Sequence, residues 1–222
     1  MRTDSTTSTA VAHKRIAQCF LQRTEPWFVV PPIRQAVAAD GTANLLGARG
    51  ANTANRFVKL QAVTSDAQNP PGTGAAAAAL LLTLLDPDCT LWLAPRLACG
   101  PANAWLRFHT GCRIVADPAA ARFAWSDADQ LPSLSRFALG SEFEPELSCT
   151  CVVEVQALEQ QHGWGLRGPG IQDRHHLAVT GLAAGFFAEW QANHALFPRG
   201  VDLLLCAGQQ VAALARTTEL EA

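Results

Sequence analysis

The chain of 222 residues carries 16% charged and 49% apolar residues and a formal net charge of −2. That composition supplies one buried core and excludes the strongly basic face of a nucleic-acid binder. No apolar run approaches the ~20 residues needed to span a membrane, and the polar opening MRTDSTTSTA has no signal-peptide core. The expectation is a cytoplasmic protein with no nucleic-acid and no membrane partner.

Residues 1–9 read as a disordered tail and residues 10–222 as one domain. Val11, Ile16, Cys19 and Phe20 predict a helix over 10–23, ended by Pro26. Residues 27–30 have the character of a short strand. Residues 33–55 are atypical: rich in Ala, Asn, Gly, Arg and Thr, with little periodicity. A helical turn or two over 33–39 and a turn at Asp40-Gly41 are expected there. The alternation in RFVKLQAV predicts a strand over 56–63. Thr73 stands where it can cap an Ala- and Leu-rich helix over 73–85, which Asp86-Pro87-Asp88 terminates.

The stretch 91–113, LWLAPRLACGPANAWLRFHTGCR, is the most informative. It reads as a buried strand over 91–94, a turn, a helix over 102–108 closed by Gly111, and a second strand over 112–116. A strand over 122–126 and a short helix from Ser126-Asp127 follow, then a loop over 140–145. Residues 149–158 predict one strand, with a hairpin connection over 159–163 and a paired strand over 164–167. A long helix is expected over 177–196, with Leu182, Phe186, Phe187 and Trp190 on one side and Gly181 and Gly185 permitting close packing. Phe197-Pro198-Arg199-Gly200 breaks it. A buried strand over 201–207 then turns at Gly208-Gln209 into an antiparallel strand over 210–215. Strands alternating with helices predict an α/β fold: one domain, a mixed sheet flanked by helices.

No Walker A loop, GxGxxG, HExxH, GxSxG or EF-hand pattern is present. Pro71-Gly72-Thr73-Gly74 before a helix looks like a phosphate-cradling turn, but it lacks the Lys of a P-loop, and an ordinary helix entry is the simpler reading. None of the seven cysteines makes a CxxC pair. They read as small buried residues in a reducing compartment, with Cys149 and Cys151 on one strand face and no metal site. Fifteen Arg stand against two Lys, Lys14 and Lys59.

Arg107 and His109 form the strongest polar pair. Either one holds an anion while the other moves a proton or donates a hydrogen bond, or Arg107 caps helix carbonyls and His109 packs into a wall or interface. His175-His176 reads as a solvated helix entry. Asp202 enters a buried strand, so its carboxylate needs a partner, Arg199 or Arg216.

Four motifs carry a resemblance. They are Leu84-Leu85-Asp86 leading into Leu91-Trp92-Leu93, then Leu106-Arg107-Phe108-His109-Thr110, Gly168-Pro169-Gly170-Ile171, and Phe197-Pro198-Arg199-Gly200-Val201-Asp202 with Arg216-Thr217-Thr218. In this order they resemble the PhnH family, a component of the bacterial carbon–phosphorus lyase system of phosphonate metabolism. The family usually carries FR-x-LL-x-AM-x-x-PG before the first strand. Residues 33–55 stand in its place without matching it, as a shifted reading frame would produce. Ala215 replaces the Pro that tends to precede Arg-Thr-Thr.

The resemblance implies a fold related to the type I pyridoxal-phosphate (PLP) transferases, without the cofactor. Both lysines lie outside the span of the four motifs, which agrees with the lack of a Schiff-base lysine there. It also implies a homodimer that joins partner subunits G, I and J. With G, I and the ATPase-like L subunit, the family is required for transfer of ribose triphosphate from ATP to a phosphonate, with catalysis on I. Candidate binding or interface residues are Arg107, His109, Thr110, Arg199, Asp202, Arg216 and Thr217, with no catalytic residue, metal or cofactor. A second reading makes the protein a phosphate- or phosphonate-binding or catalytic subunit through Arg107, His109, Arg199 and Arg216. Convergence of these side chains in a pocket favours binding; scattered or internally paired side chains favour assembly.

Overall fold

The computed structural model describes residues 69–222 except Gly170 and Gln172, together with three strand segments, β1 (Arg34–Val37), β2 (Ala43–Leu46) and β3 (Val58–Lys59). The expected tail, the helix over 10–23 and the strand over 27–30 lie outside the described residues. β1 pairs antiparallel with β2, so a strand replaces the helical turn expected over 33–39. A segment this short cannot repay helix nucleation, whereas pairing satisfies its backbone. β3 falls within the strand expected over 56–63.

The other strands are β4 (Thr90–Leu93), β5 (Arg113–Val115), β6 (Phe123–Asp127), β7 (Thr150–Glu154), β8 (Ala157–Arg167), β9 (His175–Thr180), β10 (Asp202–Ala207), β11 (Gln210–Leu214) and β12 (Glu219–Glu221). The helices among the described residues are α1 (Ala75–Leu84), α2 (Pro95–Cys99), α3 (Pro101–Thr110) and α4 (Phe186–His194). The main sheet runs β3-β11-β10-β7-β6-β4-β5. β5, β4, β6, β7 and β10 are parallel, and β11 and β3 add antiparallel strands at one side. This is the expected mixed α/β arrangement. A second sheet, β12-β8-β9, is antiparallel.

Parallel strands covered on both faces need continuous apolar runs, and β10 supplies one: Leu203, Leu204, Leu205 and Cys206 are all buried. α1 packs against β7 and β10 with Leu81 and Leu84 buried. Gly111 ends α3 with φ +70, as expected. Trp125 and Trp190 are the bulkiest fully buried side chains among the described residues.

Four expectations are corrected. Residues 149–158 are two strands, because the chain leaves the main sheet at Val155-Gln156: Val155 N donates to Cys206 O, but Gln156 N donates to Thr180 O. Residues 159–163 lie within β8, whose true hairpin partner is β9. A register shift between Glu159 and Trp164 absorbs the irregularity. The helix expected over 177–196 starts only at Phe186, so His175 and His176 are exposed at the start of strand β9 and not at a helix entry. Pairing with β8 claims residues 175–180, and Gly181, at φ +105, turns the chain. Gly185 precedes α4 with open space around it, so neither glycine is a helix-packing position. Finally, Thr73 does not cap α1, since its Oγ1 donates to Pro70 O at 2.7 Å.

Candidate functional site

The hairpin of β10 and β11 brings Asp202, at the start of one strand, beside Arg216, just past the end of the other. Arg216 is only 4% exposed. Its backbone N donates to Asp202 Oδ1 at 2.8 Å, its Nε to the same oxygen at 3.2 Å, and its Nη2 to Oδ2 at 2.6 Å. Nη1 donates to Pro145 O at 2.9 Å and to Pro198 O at 3.4 Å, and Nη2 also donates to Ser148 Oγ. Guanidinium has five N–H donors, and these five side-chain bonds give each a partner. The cation is spent inside the protein.

The surrounding motif residues complete the knot. Asn193 on α4 brackets Val201 through both its amide atoms, at 3.0 and 2.9 Å. Trp190 Nε1 donates to Thr218 O at 2.9 Å, and His194 Nδ1 lies 2.9 Å from Arg216 O. Gly200 N donates to Leu139 O at 2.9 Å. Gly168, at φ +151, lies so close to the half-buried Thr217 that a Cβ there would sit 2.9 Å from Thr217 O. The Phe197–Asp202 and Arg216–Thr218 motifs, with Gly168 beside them, thus form one cross-linked unit. Of the two partners expected for Asp202, the structure supplies Arg216; Arg199 is half-buried in the preceding turn.

Arg107, His109 and Thr110 lie elsewhere, on the last turn of α3. α3 packs by β5, which is separated from β10 by four strand spacings, roughly 19 Å. Arg107 and His109 are exposed. The His109 ring packs against Trp105 at 4.9 Å and Phe108 at 5.0 Å. Thr110 is buried as a helix stop: its Oγ1 donates to Leu106 O and accepts from Cys112 N. The candidate side chains therefore divide between an internally paired node and an exposed helix end.

Sequence reasoning missed Glu154. In open parallel sheets, ligands bind outside the carboxyl ends of the strands. Here β7 ends in Glu154, whose Oε2 accepts from Gly74 N at 2.7 Å and whose Oε1 accepts from Trp125 Nε1 at 2.9 Å. Burial pushes its carboxyl pKa up, against the lowering effect of the Gly74 and Trp125 donors. Beside it Arg96 forks onto Asp127, with both bonds at 2.6 Å, and donates to Gly72 O. The turn that looks like a phosphate cradle has its Gly74 amide filled by the protein's own carboxylate, which fits the ordinary helix entry. A charged residue ending the run CTCVVE was the available signal.

The cysteines are set up for packing. Cys149 and Cys151 are buried with sulfurs 3.9 Å apart, on one face as expected. Burial raises the thiol pKa of Cys89 to about 12 and also raises those of Cys112, Cys151 and Cys206. Among the described residues no group of His, Cys, Asp and Glu could hold a metal ion, and no helix is long and apolar enough to cross a membrane.

The family model described as "Bacterial phosphonate metabolism protein (PhnH)" matches residues 52–221. The match takes in Lys59, which the four motifs alone left out, and excludes most of the atypical stretch 33–55. A protein of Rhizobium meliloti (strain 1021), named alpha-D-ribose 1-methylphosphonate 5-triphosphate synthase subunit PhnH, is 43% identical over 159 residues, 71% of this chain and 80% of its own length. A putative C-P lyase subunit protein, HtxG, of Stutzerimonas stutzeri is 36% identical over 156 residues, 68% of this chain and 75% of its own.

Proposed function

Because the chain belongs to the PhnH family, we propose that it is a subunit of the carbon–phosphorus lyase complex in phosphonate catabolism. It takes part with partner subunits in transferring ribose triphosphate from ATP to an alkylphosphonate and carries no catalytic residue of its own. The names of its two relatives support this. The single observation that carries the non-catalytic role is the Arg216 node, whose cation is committed to internal acceptors. A group that must grip phosphate needs donors to spare.

On this reading residues 10–222 form one cytoplasmic domain that dimerises and joins subunits G, I and J. The mixed sheet is compatible with descent from a PLP-transferase fold, used here without the cofactor. Arg107, His109, Arg199 and Thr217 serve at or near interfaces, while Thr110, Asp202 and Arg216 shape them. The test is co-expression with G, I and J, capture on a tag on this chain, and the mass of the captured complex. A stable assembly is expected. A chain that emerges alone, even as a dimer, refutes the role.

The exposure of Arg107 and His109 favours one second reading, an anion site on α3. Calorimetry with ATP and methylphosphonate decides it. Binding by the isolated chain that is lost in Arg107→Ala would establish that site.

A further inference from the structure

Among the described residues the exposed large apolar side chains are Phe108, Phe143, Leu147 and Phe197. The last three sit on two loops that Arg216 ties together through Pro145 O and Pro198 O. We propose that these loops form a docking surface for a protein partner presenting an apolar centre within a basic rim. The proposal rests on the assembly reading above and names the face that assembly uses.

The loop is built to hold its shape. Gly140 adopts φ +71, and a Cβ there would lie 2.8 Å from Pro145 O. Ser141 N donates to Glu144 O and Glu144 N donates to Ser141 Oγ, closing a tight turn around Phe143. Leu147 lies in the helical turn Pro145–Leu147, and Ser148 Oγ is held by Arg216. The turn leaves Phe143 94% exposed and Phe197, across the Arg216 bridge, 61% exposed. Holding the backbone turn that carries an aromatic side chain into water gains the monomer nothing, but it lowers the ordering cost of binding. Aromatic anchors are also the residues that dominate interfaces.

Charge selects the partner. The segment GSEFEPELS, residues 140–148, places Glu142, Glu144 and Glu146 around Phe143 and Leu147 and contains no Lys, Arg or His. Arg199, on the facing loop, is half-buried. A patch with this acidic border favours a basic rim and repels an acidic one. Association should therefore weaken with salt.

The test captures the co-expressed partner subunits on wild type, Phe143→Ala, and the pair Glu142→Lys with Glu144→Lys. Phe143→Ala should weaken capture at least about tenfold and leave the melting temperature unchanged. The charge-reversed pair should weaken it too and flatten its salt dependence. Wild-type assembly with undiminished capture by Phe143→Ala and by the charge-reversed pair overturns the proposed surface but not the assembly role. Failure of the wild type to assemble overturns both. If Phe143→Ala instead turns a dimer into monomers and leaves capture intact, the occupant is a second copy of this chain, and the basic partner is refuted.

Discussion

Replacing Arg216 with methionine should unfold the protein more readily than any surface change. The substitution keeps most of the volume and removes the charge. Asp202, 25% exposed on its side chain, then loses its guanidinium, and Pro145 O, Pro198 O and Ser148 Oγ lose a donor. Breaking one partner out of a buried pair costs about 3–5 kcal/mol. In a chain of this size each kcal/mol lowers Tm by about 2–4 °C, so the melt should fall by roughly 6–20 °C. Urea titration at pH 7 followed by circular dichroism measures the loss directly. Asp202→Asn alone should cost less, because the amide oxygen still accepts. The double variant should be more stable than the sum of the singles predicts by about 0.5–3 kcal/mol, because the guanidinium and the carboxylate it faces are then removed together. A loss below about 1 kcal/mol for Arg216→Met, or strict additivity, would refute the view that this pair holds the loops.

Other outcomes follow from the same geometry. The folded state raises the Glu154 pKa above its ordinary 4.5, so it holds that proton more tightly than the unfolded chain. The resulting stability is present at low pH and is lost as pH rises through the folded value. Glu154→Gln should therefore gain on wild type as pH rises from roughly 4 to 7, and parallel denaturation midpoints across that range would contradict the assignment. Gly140→Ala should destabilise by about 1–3 kcal/mol and weaken partner capture along with stability, since a Cβ would meet Pro145 O at 2.8 Å. Iodoacetamide at pH 8 followed by mass spectrometry should label Cys99 first among the six described cysteines, because it is the exposed one. Equal labelling of Cys89 would contradict its raised thiol pKa. Translating the other two frames of the gene upstream of codon 52 should reveal the missing family segment; its absence from both rules out a shifted frame.

In the unit from Thr90 to Val115 the strands and α3 were legible because their signals are local: a continuous apolar run, a proline-led helix and a glycine at positive φ; the turn expected before α3 is instead the short helix α2. The segment His175–Thr180 was not. Its Leu, Ala and Val fit a helix by composition, and only pairing with β8 decides otherwise. The switch at Val155-Gln156 is equally invisible, because the two amides differ only in which distant carbonyl they reach. That Asp202 needs a cation could be read from sequence, since a buried carboxylate demands one, but the choice between Arg199 and Arg216 could not. The carbonyls of Pro145 and Pro198 could not, since backbone acceptors leave no trace in side-chain identity. Glu154 went unread because it ends an apolar strand whose face toward Gly74 is set by tertiary packing.

The distance along the chain between Arg216 and the parts it fastens has a consequence for biogenesis. Arg216 follows Pro145 by 71 positions and Asp202 by 14. At ribosomal rates of about 5–20 residues per second, Pro145 is made about 4–14 s before its clamp. Throughout that interval the aromatic loop has no guanidinium to fix it. If the proposed surface is the one partners use, recognition waits until the hairpin carrying Arg216 has been synthesised.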